Sequence, residues 1–512
     1  MDHEFNSTLS APIWQATGQT LPKPEDEMDA APTSTSLDTG GIVALAATRM
    51  VEAIRARHVS CREVMEAHLD RIAEVNGRVN AIVSLRDRTE LLAEADAADA
   101  DLRRGHWRGP MHGLPHAVKD LAPTRGLRTT FGSPIFAEHV PEGDALFVER
   151  LRRAGAILIG KTNVSEFGLG SHSYNPVWGT TRNAYDSALS AGGSSGGAAV
   201  ATALHMVPMA DGSDFAGSLR NPAGWNGIFG FRPSAGRVPS LPGPDAYLQQ
   251  LATDGPMARN VGDLALLLSV MSGHDERAPL SLTEPSLSAE LPEDDLKGAR
   301  IGWLGDYARA LPMEEGILPL SRSGLASLEA AGCRIEEVDL GISRDEIWQC
   351  WLVWRHVLVG SRYRPLYDDP EKRALMKPEL IWEIEGGLRL SADDLYRASV
   401  TRTRLYQRFL ALFAECDALA LPSAQVFPFA QELHWPTTIA GTKMDTYHRW
   451  MEVVVPATLS GCPTICLPLG PWGPDGRSSG LQLIGRPGRD RALLRLAQAF
   501  EEVSRPSDRL PD

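Results

Sequence analysis

Residues 189–203 read LSAGGSSGGAAVATA, in which four glycines surround two serines directly before a run of small residues. Such a cluster is typical of three structures. It can form a phosphate-binding loop, a nucleophile elbow, or a loop that holds one member of a serine-based catalytic network. The rest of the chain has to decide among them.

A phosphate-binding loop of the Walker type needs GxxxxGK[ST], and no lysine follows these glycines. A nucleophile elbow is a closer match, because Gly192, Ser194 and Gly196 fit the pattern GxSxG. In an elbow, however, an apolar strand runs directly into the serine. The residues before Ser194, RNAYDSALSAGG, are polar and turn-like. Both interpretations are therefore disfavoured.

The third interpretation rests on two further segments. Downstream, SDFAGSLRNPA places Gly217 and Ser218 just before Arg220, and upstream Lys119 lies in the strand-like stretch HAVKD. A serine hydroxyl needs an adjacent base to become a nucleophile, and an amine leaving group needs a proton. Two serines and a lysine supply these groups if the fold brings them together.

Together these segments resemble the amidase signature hydrolases. The resemblance covers most of the chain through the ordered motifs GLPHAVKD, LIGKTNVSEFGLG, NPVWGTTRNAYD, GGSSGG, SDFAGSLRNPA and GCPTICLPLG. It implies a serine–serine–lysine triad without a cofactor. In that triad Ser218 is the nucleophile, Ser194 follows a cis peptide bond and passes protons, and Lys119 is the base.

The proposed base carries a physical requirement of its own. Lys119 must be neutral to accept a proton, so its pKa must fall by roughly three units from about 10.4. Burial away from water disfavours the charged form and can supply a shift of that size. The triad therefore predicts a buried Lys119, and Ser195, next to the relay serine, is expected to support it.

The resemblance also implies an oxyanion hole made by backbone N–H groups, which stabilise charge on the carbonyl oxygen. These belong to Phe215, Ala216, Gly217 and Ser218. The family usually has two glycines before the nucleophile, whereas this chain has Ala216 and then Gly217. Alanine keeps the N–H donor but restricts φ and narrows the space beside the acyl carbon. We expect activity to be retained and substrate shape to differ.

Other residues near these motifs are expected to support the site. Gly170, Ser171 and His172 resemble the family segment that borders the substrate, although His172 could equally be an ordinary hydrogen-bonded histidine. Asp214 and Arg220 are expected to brace the nucleophile loop by charge-assisted hydrogen bonds.

The pattern of elements predicts an α/β fold. VERLRRAGAILIGKTN indicates a helix and then a strand, and KGARIGWLGD followed by GLASLEAAGCRIEEVDL indicates a βαβ unit. With the resemblance, we expect one amidase signature domain over residues 41–512, with a large, mixed, mainly parallel central sheet flanked by helices on both faces. The polar residues 1–40 are expected to form an N-terminal extension.

Residues 341–450 are predicted to be helical and rich in tryptophan, since they hold six of the 12 in the chain. The simpler interpretation is that Trp348, Trp351 and Trp354 pack a helix against the body of the protein. The alternative is a cap whose aromatic side chains wall a pocket for an apolar or aryl ligand. The remaining three tryptophans of the segment are Trp382, Trp435 and Trp450.

Composition narrows the partners and the compartment. Of 512 residues, 43% are hydrophobic and 23% charged, with a net charge of −14, so we expect a soluble protein that binds neither nucleic acid nor an anionic membrane. The start MDHEFNSTLS has no apolar signal region. The six cysteines and 13 histidines show no metal-ligand spacing. We expect a cytoplasmic protein with no metal, and a homodimer is one candidate assembly.

The sequence therefore favours an amidohydrolase that forms an acyl-enzyme from a small amide, apolar or aromatic. Esters, anilides and carbamates (urethanes) could pass through the same machinery. The alternative is the A-type subunit of a glutamine-dependent tRNA amidotransferase. Against it stand SDFAGSLRNPA, in place of a two-glycine, glutamine-bearing version, and the tryptophan-rich segment. A binding protein that has lost catalysis is disfavoured, because all three triad positions are occupied.

Overall fold

The computed structural model describes residues 39–511 apart from 242, 244, 294, 295, 308, 471 and 472. These described residues form one compact unit. The predicted N-terminal extension, residues 1–40, lies outside the described residues except for its last two. Those two begin the first helix, α1 (Thr39–Ala44), so the boundary expected at residue 41 falls inside a helix.

The described residues form fifteen strands and fifteen α-helices. The strands are β1 (Ile82–Val83), β2 (Pro115–Lys119), β3 (Ile157–Thr162), β4 (Tyr174–Asn175), β5 (Gly179–Thr180), β6 (Met209–Asp214), β7 (Phe229–Arg232), β8 (Thr253–Ala258), β9 (Arg300–Trp303), β10 (Arg334–Glu337), β11 (Ala418–Pro422), β12 (Thr438–Ile439), β13 (Thr442–Lys443), β14 (Thr464–Leu469) and β15 (Ser479–Gly485). The helices after α1 are α2 (Ala47–Arg55), α3 (Cys61–Val79), α4 (Arg88–Arg103), α5 (Leu146–Arg153), α6 (Gly196–Ala203), α7 (Arg220–Trp225), α8 (Val261–Met271), α9 (Ile317–Ala330), α10 (Arg344–Tyr367), α11 (Pro370–Arg373), α12 (Pro378–Leu388), α13 (Ala392–Glu415), α14 (Val455–Ser460) and α15 (Asp490–Ser504).

The central sheet has eight strands within the described residues, in the order β10–β9–β11–β15–β14–β7–β8–β6. β9 pairs in parallel with both β10 and β11. The other neighbours are antiparallel. The large mixed sheet is confirmed, but parallel pairs are in the minority, which corrects the expected mainly parallel order. A parallel pair needs a long crossover such as α9, whereas β14 and β15 are joined by a short loop.

Helices pack on both faces of this sheet, because successive side chains of its strands point to opposite faces. On β11, Ala418 and Ala420 belong to the core beneath α8, α9 and α15, whereas Leu419 and Leu421 belong to the core beneath α10 and α13. Successive side chains of a strand point to opposite faces, so one buried strand serves two cores. The sheet is therefore flanked by helices, as expected.

A smaller sheet carries the predicted base. In it β2 lies parallel to β3, and β1 pairs with the other edge of β3. Lys119 is the last residue of β2, and its backbone N–H donates to the Asp211 carboxylate on β6 at 3.1 Å. This bond ties the small sheet to the edge strand of the large one.

The tryptophan-rich segment is helical only up to Glu415, through α10 to α13, after which β11 returns to the central sheet. Trp348, Trp351 and Trp354 on α10 are all buried. They belong to the core between that helix, α13 and the sheet, which confirms the simpler interpretation of these three residues.

Three further observations concern the chain as a whole. None of the described helices combines the length and the apolar character that crossing a membrane requires. No group of three or more His, Cys, Asp or Glu residues is arranged to hold a metal ion in the part of the chain that the structure describes. The six cysteines are buried and free of disulfide bonds.

Candidate active site

The amine of Lys119 lies among serine oxygens rather than in water. Its Nζ is 2.9 Å from Ser194 Oγ, 2.6 Å from Ser195 Oγ and 2.9 Å from Ser213 Oγ. Lys119 is 1% exposed, which confirms the predicted burial. The motifs predicted the meeting of Lys119 with Ser194 and Ser195, whereas Ser213 was missed.

This environment changes the acidity of the lysine. Burial lowers the pKa of Lys119 to about 7, against the opposing effect of the carboxylates of Asp254, Asp211 and Asp214. A group with a pKa near neutrality can both take up and release a proton at physiological pH. The site therefore holds a lysine whose amine is available as a proton acceptor.

The glycine-rich loop reaches Lys119 because its glycines allow close approaches. Gly192 has φ +74°, and a Cβ there would lie 2.5 Å from Asn221 Oδ1. A Cβ on Gly197 would lie 2.3 Å from the backbone nitrogen of Asn163. The peptide bond between Gly193 and Ser194 is cis. The loop is thus pressed between the chain after β3 and the start of α7.

Ser218 joins this cluster at a cavity. Ser218, Ser194, Ser213 and Lys119 line the same cavity of about 160 Å³. Ser218 is 5% exposed, so its hydroxyl is reached only through that cavity. The structure therefore brings the three predicted triad residues to one place.

The loop before Ser218 contains the predicted oxyanion donors. The N–H of Gly217 donates to Asp214 Oδ1 at 3.0 Å, so this donor is already occupied. Within the described part of the chain, the N–H groups of Phe215, Ala216 and Ser218 have no hydrogen-bond acceptor. These three remain available to an oxyanion, and Gly217 departs from the prediction.

Asp214 and Arg220 brace the loop in the geometry expected of them. Arg220 donates to both carboxylate oxygens of Asp214, at 3.0 and 2.9 Å. It also donates to Gln482 Oε1 at 2.8 Å and Thr458 Oγ1 at 3.0 Å. Arg232 holds Asp214 from another side at 3.2 Å. The nucleophile loop is therefore fixed by buried charges.

The segment predicted to border the substrate lies behind the cavity wall. Ser171 donates to the carbonyl oxygen of Gly193 at 2.5 Å. A ring nitrogen of His172 lies 2.8 Å from the backbone carbonyl oxygen of Gln431. Gly170, Ser171 and His172 are absent from the described lining of the cavity. That stretch of wall is formed by Phe167, Gly168 and Leu169. His172 has the hydrogen bonds of an ordinary buried histidine.

The rest of the wall comes from distant parts of the chain and combines apolar with polar side chains. α10 contributes Leu358, Val359 and Tyr363, together with Arg362. β8 contributes Asp254. The tryptophan-rich segment, residues 341–450, is called the cap from here on. It borders the cavity through the second half of α10, beginning about one turn beyond Trp354.

A second, larger cavity of about 580 Å³ lies elsewhere in the cap. Trp382, Trp435 and Tyr447 line it, but Lys119, Ser194 and Ser218 do not. The aromatic pocket considered from the sequence therefore exists away from the lysine–serine cluster, with two of the six tryptophans in its wall.

The mixed sheet flanked by helices defines an α/β protein. The lysine–serine cluster at the edge of that sheet has the elements of a serine-dependent enzyme site. The family model described as Amidase matches residues 63–494. The chain belongs to the amidase signature family, and it is an amidase-family enzyme of the hydrolases that act on C–N bonds.

Individual relatives fall into two groups. The chain is 32% identical over 474 residues to an acylamidase of Rhodococcus erythropolis, with 91% of this chain and 97% of the relative covered. It is 35% identical over 486 residues to the A-type subunit of the glutamyl-tRNA(Gln) amidotransferase of Chloroflexus aggregans, with 90% and 96% covered. Among solved structures, a bacterial aryl acylamidase of the amidase signature family has a TM-score of 0.84 at 28% identity, with 91% and 98% covered.

Proposed function

We propose that the protein is an amidohydrolase that cleaves small, apolar or aryl amides through an acyl-enzyme on Ser218. The observation that carries this proposal is the contact of 2.9 Å between Lys119 Nζ and Ser194 Oγ at a cavity that Ser218 also lines. A buried amine of lowered pKa, a bridging hydroxyl and a second hydroxyl are the parts that serine-based amide hydrolysis requires.

In the acylation step, Ser218 Oγ attacks the carbonyl carbon of the amide. Its proton passes to Ser194 Oγ as the proton of Ser194 passes to Lys119 Nζ. The oxyanion that forms accepts hydrogen bonds from the free N–H groups of the loop, those of Phe215 and Ala216 among them. When the C–N bond breaks, Ser194 gives its proton to the nitrogen and recovers one from Lys119, and the amine leaves.

In the second step, a water molecule attacks the acyl-enzyme and its proton follows the same route to Lys119. The ester bond to Ser218 breaks, the acid leaves, and Ser218 recovers its proton through Ser194. Esters and carbamates present the same carbonyl carbon with a different leaving group, so the same residues would process them. Ester oxygen needs less help to leave than amide nitrogen, and the relay matters most for amides.

The cavity wall supports the choice of substrate class. Phe131, Phe167, Leu358, Val359 and Tyr363 present apolar or aromatic surface beside Ser218. A cavity of about 160 Å³ fits a small acyl or aryl group. The structural similarity to an aryl acylamidase points the same way.

The test is to label the purified protein with a serine-directed fluorophosphonate and to map the modified peptide by mass spectrometry. We expect the label on Ser218, loss of turnover of a panel of aryl amides, esters and carbamates, and no label in Ser218→Ala. Ser323→Ala, at an exposed serine of α9, is the matched control and should be labelled like the wild type. A label on Ser194, or amide turnover by Ser218→Ala, would contradict the proposed nucleophile.

A second candidate is the A-type subunit of a tRNA-dependent amidotransferase, which the 35% identity to one such protein favours. The two candidates differ in their substrate and in their need for partner chains. We expect the isolated chain to hydrolyse aryl amides and to release no ammonia from glutamine. Ammonia release from glutamine that depends on a co-purifying partner, with no turnover of the panel, would favour the amidotransferase.

We also place the protein in the cytoplasm. The six cysteines are buried and unpaired, which supports a reducing compartment. Fractionation of cells that express the protein checks this placement. Recovery outside the cytoplasm would contradict it.

A further inference from the structure

The carboxyl group of Asp254 faces the proposed relay, although no step above uses it. Asp254 on β8 pairs with Ser213 on β6 in the antiparallel register, and directly paired residues project to the same face of a sheet. Ser213 Oγ lies 2.9 Å from Lys119 Nζ. Asp254, Ser213 and Lys119 line the same cavity. The carboxyl group therefore belongs to the immediate surroundings of the amine.

Several charged groups surround Lys119. By element they are His116 on β2, Asp120 just after β2, Lys161 on β3, Asp211 and Asp214 on β6, Asp254 on β8 and Arg362 on α10. Most of them have partners of their own, which reduce their effect on the amine.

Asp254 differs from the other two carboxylates in the side chains that it contacts. Asp214 is bonded to Arg220 and Arg232, and Asp211 lies 2.9 Å from a ring nitrogen of His116. No cationic side chain of the described residues forms an ion pair with Asp254. Burial and the Asp211 carboxylate raise the pKa of Asp254 to about 7, against the opposing effect of Lys119 and Ser240. Asp254 and Lys119 therefore change charge over the same pH range, beside the cavity that both residues line.

We propose that Asp254 is a positioning residue of the relay, whose carboxylate stabilises the ammonium form of Lys119 and so sets the pH range in which the lysine accepts a proton. This inference rests on the proposed function, in which Lys119 is the base. On acidification the Lys119 amine takes up one proton, and a nearby carboxylate makes that uptake easier. The two groups titrate as a pair. The acid limb, which is the fall of activity as the pH is lowered, therefore reflects both groups.

The experiment measures the rate of fluorophosphonate labelling of Ser218 as a function of pH, which requires no knowledge of the substrate. Asp254→Asn removes the charge and keeps the shape. We expect it to move the acid limb to lower pH by roughly one unit, because the free amine then persists in more acidic solution. Asp254→Glu should restore the wild-type midpoint. Gln249→Ala, at a neutral residue of the same cavity, should leave the midpoint in place.

Ser240→Ala is a second, milder variant that keeps Asp254. Ser240 lowers the pKa of the Asp254 carboxyl group, so its loss should raise that pKa and move the limb in the same direction by a smaller amount. A midpoint that is unmoved or raised in Asp254→Asn, in protein that melts like the wild type, would overturn the inference. Should Asp254→Asn not fold, an unmoved midpoint in Ser240→Ala would overturn it. Absence of label on wild-type Ser218 would instead contradict the proposed function.

Discussion

Lys119 and Lys161 show how position on adjacent strands gives two buried lysines different chemistry. Lys119 Nζ lies among the hydroxyls of Ser194, Ser195 and Ser213, which can exchange protons with it. Lys161 Nζ donates to the carbonyl oxygen of Ala122 at 2.7 Å and to Thr124 Oγ1 at 2.9 Å, and Lys161 is absent from the described lining of the cavity that Ser218 lines. Burial lowers both pKa values, to about 7 for Lys119 and to about 8 for Lys161. Acidity alone therefore does not distinguish a base from a structural lysine.

At the residue scale we predict an acid limb near pH 7. Below that pH Lys119 is protonated and cannot accept a proton, so the labelling rate of Ser218 should rise with pH through a midpoint near the pKa of about 7. Lys119→Met should remove the limb and slow labelling by roughly 10²–10⁴-fold, the usual contribution of a general base. Lys161→Met is the matched control and should keep the limb. A Lys119→Met protein labelled at the wild-type rate would argue against a basic role.

At the scale of elements, the cap is held together by one buried charge cluster. Arg355 on α10 donates to Glu383 on α12 at 2.5 Å, and Tyr447 Oη donates to the same carboxylate at 2.7 Å. His356 Nδ1 lies 2.8 Å from its other oxygen. Arg355 and His356 outweigh the desolvation of Glu383 and lower its pKa to about 2. The cluster fixes α10, whose second half borders the cavity that Ser218 lines.

We predict that Glu383→Gln destabilises the cap. Removal of one partner from a buried ion pair leaves an uncompensated charge and costs about 3–5 kcal/mol in the free energy of unfolding. Chemical denaturation measures this loss. The double variant with Arg355→Met should lose less than the sum of the single variants. Asp393→Asn, in an exposed pair with Arg397, is the control and should cost less than about 1 kcal/mol.

The same cluster predicts a pH dependence of stability. Because the pKa of Glu383 is lower in the folded protein, its contribution is fully present above its unfolded value of about 4.5 and is lost as the pH falls toward 2. Glu383→Gln should therefore weaken the acid dependence of the melting temperature over that range. An acid profile identical to that of the wild type would contradict the role assigned to Glu383.

At the scale of the whole molecule, Arg220 links the nucleophile loop to segments far away in the chain. Its guanidinium contacts Asp214 on β6, Thr458 on α14 and Gln482 on β15, and it donates to the Val454 carbonyl oxygen at 3.0 Å. The partners beyond the loop lie 234 to 262 residues away. The position of Ser218 therefore depends on the C-terminal part of the sheet.

We predict that Arg220→Lys lowers both the melting temperature and the labelling rate of Ser218. Lysine keeps the charge but cannot reproduce the planar fork that contacts several partners at once. Loss of such buried hydrogen bonds to charged groups costs about 1.5–3 kcal/mol each. Arg300→Lys, in a half-exposed pair with Glu336 on β10, is the control. An Arg220→Lys protein with normal melting and normal labelling would contradict the bracing role.

The sequence predicted the family and the α/β class, and it singled out Lys119, Ser194 and Ser218, which the structure brings to one cavity. The ordered motifs and the local alternation of apolar residues that support these predictions lie in contiguous residues. The tertiary structure alone decided the mostly antiparallel pairing of the sheet, the occupied N–H of Gly217, and the walls of the cavity. It also placed Ser213 beside Lys119 and paired Asp254 with Ser213. These features depend on the register between strands far apart in the chain and on burial, and local periodicity carries neither.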